Sequence, residues 1–129
     1  MTEPIWIDEQ VALALQDRLL ATYGGAGGIR NDAVLKSALA RPLQHAAYTG
    51  DPDVVDLATT HTAGILRNHP FVDGNNRAGF LVGVLFLELN GYRFNASEED
   101  AARAVLELAA GTLDEAGYTA FLRANITPE

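Results

Sequence analysis

The 129-residue sequence contains no cysteine, and this absence removes several kinds of site at once. Disulfides, thiolate nucleophiles and zinc sites with cysteine ligands are all excluded. Long apolar runs are also missing, since the longest one, from Ala78 to Leu87, is too short to cross a bilayer. The start, Met1 to Pro4, has no basic segment and no apolar segment after it, so no signal peptide is predicted. We therefore expect a soluble, cytoplasmic protein.

Basic residues are scarce as well. Nine Lys and Arg stand against 17 Asp and Glu, which gives a formal net charge of −8 at pH 7. Proteins that bind the phosphate backbone of nucleic acids or anionic lipid present a basic surface. The composition therefore predicts no direct nucleic-acid binding and no membrane binding. The apolar fraction of 48% is typical of a globular protein, and the length predicts one domain over residues 1–129.

Clean alternation of apolar and polar residues is absent, whereas helical spacing recurs along the chain. We predict an all-α fold of about six helices around a buried central helix. The predicted helices run from the Asp8 cap to Gly24, from Asp32 to Ala40 with Pro42 as the stop, from Asp53 or Val54 to Asn68, from Asn75 to Leu89, from the Ser97 cap to Ala110, and onward from Thr112 and Glu115. The fourth is apolar or small on most sides, so it is expected to be the central one. Leu43–Pro52 is predicted to be a loop or small hairpin.

One segment carries a dense cluster of reactive side chains, His69-Pro70-Phe71-Val72-Asp73-Gly74-Asn75-Asn76-Arg77, between the third and fourth predicted helices. The first backbone N–H groups of a helix have no intrahelical partners and lie at the positive end of its dipole, so they attract anions. Gly74 would let an anion approach the backbone closely. Arg77 falls in the first turn, where the dipole disfavours a cation. A bound phosphate explains this arginine better than folding does.

His69 and Asp73 have both structural and chemical interpretations. Asp73 could simply cap the fourth helix, but beside a polyphosphate it would be an oxygen ligand for Mg²⁺. His69 is held before a proline, and a histidine suits the deprotonation of a hydroxyl because its side chain ordinarily titrates near neutral pH. Phe71 and Val72 are expected to anchor the loop in the core. The residues together, rather than any one alone, favour a catalytic site.

This segment resembles the signature of the Fic/Doc superfamily, His-x-Phe-x-Asp/Glu-x-Asn-x-Arg. The small size and the segments Asp32–Pro42 and Leu89–Tyr92 are most similar to the Doc, or death-on-curing, toxins of type II toxin–antitoxin systems. The resemblance implies that His69 deprotonates a target hydroxyl and that Asp73 holds Mg²⁺ on the nucleotide phosphates. It further implies a phosphate contact from Arg77 and an anion-binding turn made by the residues Gly74, Asn75 and Asn76. In the family, the place of Leu43–Pro52 is taken by a flap that docks the target as an added strand.

The resemblance implies a transferase that uses ATP and Mg²⁺. Doc-type members transfer the terminal phosphoryl group to a translation factor such as elongation factor Tu, and a cognate antitoxin neutralises them. Phe80 stands where the longer Fic signature has a second arginine that orients the nucleotide for adenylate transfer, and Doc-type members lack this arginine too. Asn76 stands where typical Doc proteins have Lys and typical Fic proteins have Gly. Nucleotidyl transfer (AMPylation), or a degenerate module that only binds an antitoxin, are therefore alternatives.

The two other histidines are predicted to have no catalytic role. His45 is expected on the surface, and His61 is expected to be hydrogen-bonded or half-buried rather than a metal ligand. Many Fic proteins also silence themselves with an inhibitory helix of the form Ser/Thr-x-x-x-Glu-Gly/Asn, and no segment here fits it, since Ser97 and Thr112 fail on spacing. The resemblance therefore implies control by a separate antitoxin that folds as a helix onto an apolar groove.

Overall fold

The computed structural model describes residues 3–50 and 53–129. Within these residues the chain forms six helices and two short strands, namely α1 (Glu9–Tyr23), α2 (Asp32–Thr49), α3 (Val54–Asn68), α4 (Asn75–Leu89), β1 (Tyr92–Phe94), α5 (Glu98–Ala110), α6 (Glu115–Ala124) and β2 (Ile126–Pro128). The predicted all-α class with six helices is confirmed. The two strands pair antiparallel, with Arg93 opposite Thr127, and were not predicted. None of the helices in these two stretches is both long and apolar enough to cross a membrane.

Short polar side chains set the starts of most helices. Five of the six described helices begin at a residue whose side chain accepts a hydrogen bond from a first-turn backbone N–H, and these caps are Asp8, Asn31, Asp53, Ser97 and Asp114. The predicted caps Asp8 and Ser97 are confirmed. The predicted opening of the sixth helix at Thr112 is wrong, because Asp114 accepts from the Gly117 N–H at 2.7 Å and Thr112 donates back to the Glu107 carbonyl.

The second helix is longer than predicted. Pro42 lies inside α2, and the helix continues to Thr49 before Gly50 ends it in a left-handed conformation. Proline removes one helical hydrogen bond, from the carbonyl four residues earlier. That carbonyl belongs to Ala38. The loss is offset by the burial of apolar side chains on both sides of it, Leu35 and Leu39 as well as Pro42 itself. The prediction of a loop, and of a flap, at Leu43–Pro52 is therefore wrong for residues 43–49, while residues 51–52 lie outside the described residues.

The central helix is α3. Eleven of its 15 residues are buried, against seven of the 15 in α4, so the prediction that the fourth helix is the central one is wrong. α3 packs on α2, α4 and α6. Its contact with α4 is very close, because a Cβ on Gly83 would overlap the Thr62 hydroxyl and a Cβ on Gly79 would lie 3.2 Å from the Thr62 carbonyl oxygen. The Thr62 hydroxyl also donates to the Gly79 carbonyl at 2.8 Å.

His61 lies in the interior of α3 and is 1% exposed. Its ring centre is 4.7 Å from that of Phe86, and neither ring nitrogen has a hydrogen-bond partner within residues 3–50 and 53–129. The prediction of a hydrogen-bonded or half-buried side chain is therefore wrong. Burial lowers the pKa of His61 to about 4, because the charged form would lose its hydration. His45 is partly exposed on α2, where Nε2 lies 2.9 Å from Asp56 Oδ2.

We predict that His61 makes stability depend on pH. In the unfolded chain a histidine takes up its proton near pH 6.5, whereas folded His61 does so only near pH 4. Between these values the unfolded state binds more protons, so the free energy of unfolding falls as the pH is lowered. The total loss is about 3 kcal/mol. Urea unfolding between pH 7 and pH 4.5 measures most of this loss, with His61→Leu as the control that should lose most of this slope. Equal slopes in the two proteins would contradict the assignment.

Candidate active site

The loop between α3 and α4 begins at a strained residue. His69 ends α3 with φ 46° and ψ 59°, and it is the only non-glycine residue with positive φ in the two described stretches. Its N–H donates to the Ile65 carbonyl at 3.0 Å, and Pro70 prevents the helix from continuing. This conformation costs free energy and persists only where the surroundings hold it, as they often do at functional sites. The exposed His69 side chain lines a cleft.

Arg30, which the sequence analysis did not single out, holds the strained end of α3. Its Nε donates to the His69 carbonyl at 2.6 Å, and its Nη2 donates to the Asn68 carbonyl at 2.7 Å. A guanidinium suits this task because its N–H donors lie in one plane and can reach two neighbouring carbonyl groups at once. Arg30 therefore fixes the backbone on which the candidate base stands.

The segment beside the motif loop is residues 24–31, between α1 and α2. The Arg30 N–H donates to the Pro70 carbonyl at 2.7 Å, the Val72 N–H donates to the Gly28 carbonyl at 3.1 Å, and Ile29 and Phe71 form an isolated antiparallel bridge. The segment that pairs with the motif loop is thus residues 24–31 and not Leu43–Pro52. Its four glycines, at positions 24, 25, 27 and 28, are the feature of the sequence that could have indicated a loop close to another backbone.

The middle of the loop is anchored by one aromatic side chain and one amide. Phe71 is 1% exposed, as expected for an anchor, whereas Val72 is exposed, so the prediction for Val72 is wrong. Asn75 is buried, and its side chain accepts from the Phe71 N–H and donates to the Phe71 carbonyl, both at 3.0 Å. The Asn75 side chain therefore holds the loop, and its backbone N–H is available as a donor for an anion.

The start of α4 differs from the other five described helix starts. Gly74 occupies the cap position with φ 75°, and no side chain caps the helix. Asp73 does not serve as the cap, because its Oδ1 accepts from the Gly74 N–H at 2.8 Å and its Oδ2 accepts from the Ala26 N–H at 3.4 Å. The first-turn N–H groups of the buried helix therefore keep their positive potential for an external acceptor.

Arg77 and Asn76 complete this end of the site. The Arg77 guanidinium carbon lies 4.5 Å from the centre of the Tyr23 ring, a cation–π contact with the last residue of α1. In the part of the chain that the structure describes, Arg77 has no carboxylate within ion-pair distance. Asn76 is half-buried and lines the same cleft. An exposed arginine without an acidic partner therefore adds a positive charge beside the uncapped N–H groups of α4.

The cleft has a volume of about 890 Å³ and two chemically distinct ends. The six predicted site residues His69, Asp73, Gly74, Asn75, Asn76 and Arg77 all line the polar end. Apart from Glu98, the other end is apolar, and Phe80 and Val84 of α4 line it together with Val105 of α5. Phe80 packs edge-on against Phe94 at 5.7 Å. The volume is in the range of small-molecule sites. The apolar surface of α4 that faces away from α3 is therefore the wall of this cleft.

The donor set fits Mg²⁺ only in company with phosphate. No cluster of three or more potential ligands (His, Cys, Asp or Glu) occurs within residues 3–50 and 53–129. Mg²⁺ in nucleotide sites needs only one or two carboxylates plus phosphate oxygens and water, and Asp73 supplies one carboxylate at the polar end. A protein-only metal centre at this place is not supported.

The sequence profile of the Fic/DOC family matches residues 6–87, from before α1 to near the end of α4. No curated protein matches the chain. Proteins of this family generally transfer nucleotidyl or phosphoryl groups to proteins, typically with ATP and a metal ion. The match covers more than half of the chain and includes the whole segment from His69 to Arg77, together with α1 and residues 24–31, which pack against it. The chain therefore belongs to the Fic/DOC family.

Proposed function

We propose that this protein is a Doc-like toxin, which transfers the terminal phosphoryl group of ATP to a hydroxyl of a target protein and thereby inhibits growth. The observation that carries the proposal is the start of α4. Its N–H groups have no side-chain cap, Arg77 has no acidic partner among the described residues, and His69 and Asp73 line the same end of the cleft. A polyphosphate satisfies the N–H groups and the arginine together.

Each polar residue of the cleft has a role in this reaction. The first-turn N–H groups and Arg77 bind phosphate oxygens and stabilise the charge that moves during transfer. Asp73 is the residue that would hold Mg²⁺, which neutralises phosphate charge when bound. His69 accepts the proton of the target hydroxyl as its oxygen bonds to the γ-phosphorus, while the bond from that phosphorus to the bridging oxygen breaks and ADP leaves.

Phe80 supports phosphoryl over nucleotidyl transfer. It lies one turn beyond Asn76 on α4 and packs against Phe94, so this part of the cleft presents carbon where a second arginine would present charge. An apolar wall does not stabilise the remaining phosphates of an extended polyphosphate. Asn76 supports the alternative, since an uncharged side chain there gives no extra cation for the γ-phosphoryl group. Nucleotidyl transfer by the same residues is therefore the second candidate, and a module that only binds an antitoxin is the third.

We propose two protein partners for the same cleft. The target is a translation factor such as elongation factor Tu, which offers the hydroxyl. The regulator is a cognate antitoxin that docks a helix on the apolar end, where the side chain of Leu106 is exposed. With a net charge of −8, this protein favours a docking segment that is basic or less acidic, because complementary charge speeds encounter. We also propose that residues 1–129 form one domain.

The reaction is tested with ATP labelled separately at the α and γ positions, incubated with the protein, Mg²⁺ and a cell extract. Label at the γ position of ATP should be retained on protein, and label at the α position should not. The His69→Ala variant should lower transfer about 10²–10⁴-fold, because it removes the general base but leaves the phosphate site. Retention of α label would favour nucleotidyl transfer, and retention of neither would favour the binding module. Undiminished transfer by His69→Ala would disprove the assignment of the base.

Nucleotide binding should depend on both charged residues at the start of α4. Arg77→Ala and Asp73→Ala should each weaken Mg-ATP binding about ten-fold or more, because each removes a contact to a charged group. Asp73→Ala should also remove most of the Mg²⁺ dependence of binding. Calorimetry with and without Mg²⁺ measures both effects, and Arg93→Ala, on β1 away from the cleft, is the matched control. Equal affinities in wild type and both variants would contradict the phosphate site.

A lysine at position 76 should increase phosphoryl transfer. Asn76→Lys would add a cation in the first turn of α4 beside the phosphates, and a charge-assisted hydrogen bond is stronger than a neutral one. We expect γ-phosphoryl transfer to rise about five-fold. The control is Gln44→Lys, which adds the same charge on the exposed side of α2. An increase in adenylate transfer instead would support the nucleotidyl alternative.

A further inference from the structure

Gln16 is a buried polar residue of α1 that reaches the motif loop. It is 3% exposed, and its Nε2 donates to the Asp73 carbonyl at 2.7 Å across 57 residues of sequence. The assignment of nitrogen and oxygen follows from this contact, since an amide oxygen at that distance from a carbonyl oxygen would be repelled. Its Oε1 is buried and has no partner within the described residues.

The hydrogen bond from Gln16 determines how the peptide between Asp73 and Gly74 is oriented. In a trans peptide the C=O and N–H groups point in opposite directions, and no cis bond occurs in the described residues. Because the carbonyl is held toward α1, the Gly74 N–H points away from α1. In this structure its acceptor is Asp73 Oδ1 at 2.8 Å, a group that lines the cleft. The Gln16 hydrogen bond therefore sets the direction of the Gly74 N–H and, through that N–H, the position of the Asp73 carboxylate.

Glycine at position 74 makes such a restraint necessary. Gly74 has φ 75°, and a glycine reaches other backbone conformations at little cost, so the peptide before it can rotate. The space around Gly74 is also limited by Gln16, whose Nε2 would lie 3.5 Å from a Cβ at this position. Without a donor at position 16, nothing in α1 would distinguish the observed peptide orientation from the reversed one.

The energetics of Gln16 point away from a role in folding alone. A buried amide oxygen without a hydrogen bond costs stability, and an apolar side chain of the same length would avoid this cost. Residues that leave a buried polar atom without a hydrogen bond are expected at functional sites. Because the donor end of Gln16 reaches the backbone of Asp73, the site that benefits is the phosphate end of the cleft.

We infer that Gln16 is a positioning residue, which holds the Asp73–Gly74 peptide so that the Gly74 N–H and the Asp73 carboxylate face the nucleotide phosphates. The inference rests on the proposed function in so far as the anion is a nucleotide. Gln16 itself does not touch the substrate. When phosphate binds, the Gly74 N–H exchanges the Asp73 oxygen for a phosphate oxygen, and this frees the carboxylate that would hold Mg²⁺.

The test compares Gln16→Met, which keeps the length but lacks the donor, with Gln16→His, which restores a ring N–H at similar reach. We expect Gln16→Met to raise the Kd for Mg-ATP and the KM for ATP about ten-fold, since one oriented donor and the carboxylate position are lost. Its melting temperature should stay close to that of wild type, because the loss of the hydrogen bond to the Asp73 carbonyl and the removal of the unpaired oxygen oppose each other. Gln16→His should recover most of the affinity. A merely structural residue would instead lower the melting temperature and leave Kd and KM unchanged.

A second measurement on the wild-type protein remains valid if a variant does not fold. In ¹H–¹⁵N spectra, the amide of Gly74 should shift when Mg-ATP is added. Either an unmoved Gly74 amide at saturation, or a folded Gln16→Met protein with wild-type Kd and KM, would overturn the inference. If wild type shows the Gly74 shift and the Gln16 effects on Kd but transfers no label, the proposed function fails and the role of Gln16 stands. If wild type transfers label and Gln16→Met does so with unchanged KM, the proposed function stands and the inferred role of Gln16 fails.

Discussion

The close contact between α3 and α4 is the constraint on which the rest of the site depends. Gly79 and Gly83 let the backbone of α4 approach α3, and Thr62 donates across the interface to the Gly79 carbonyl. The two helices are joined by the six residues 69–74, so their fixed separation leaves the loop few conformations. His69 is thereby held at the end of α3 and Asp73 just before α4. Any side chain on Gly83 would push the helices apart and move both residues.

The loop divides its polar groups between support and chemistry. The Arg30 side chain bonds only to the backbone of Asn68 and His69 at the end of α3, and the Asn75 side chain and the Gln16 donor bond only to the loop backbone. The features that fold stability does not require occur at the same place, namely the positive φ of His69, the uncapped start of α4 and the Arg77 guanidinium stacked on Tyr23. Departures from local rules that concentrate at one place are typical of a site built for a ligand.

The two long apolar surfaces of α4 explain why its role was predicted incorrectly. One surface packs on α3 and the other lines the cleft, and a sequence pattern does not distinguish a buried wall from a cleft wall. α3 shows the converse, because its run of Thr59, Thr60, His61 and Thr62 is polar in sequence but buried in the fold. The threonine hydroxyls bond locally or to neighbouring helices, so their burial costs little.

Local chemistry was sufficient to predict from the sequence the helix caps at Asp8 and Ser97, the span of α4 and the segment from His69 to Arg77 that indicates the family. These signals lie within a few residues of one another, so short-range hydrogen bonds and spacing decide them. Only the tertiary structure decided that α2 continues past Pro42, that residues 24–31 lie beside the motif, and that Gln16 and Arg30 hold it. Those outcomes depend on burial and on hydrogen bonds between residues tens of positions apart, for which a single sequence carries no pairing information.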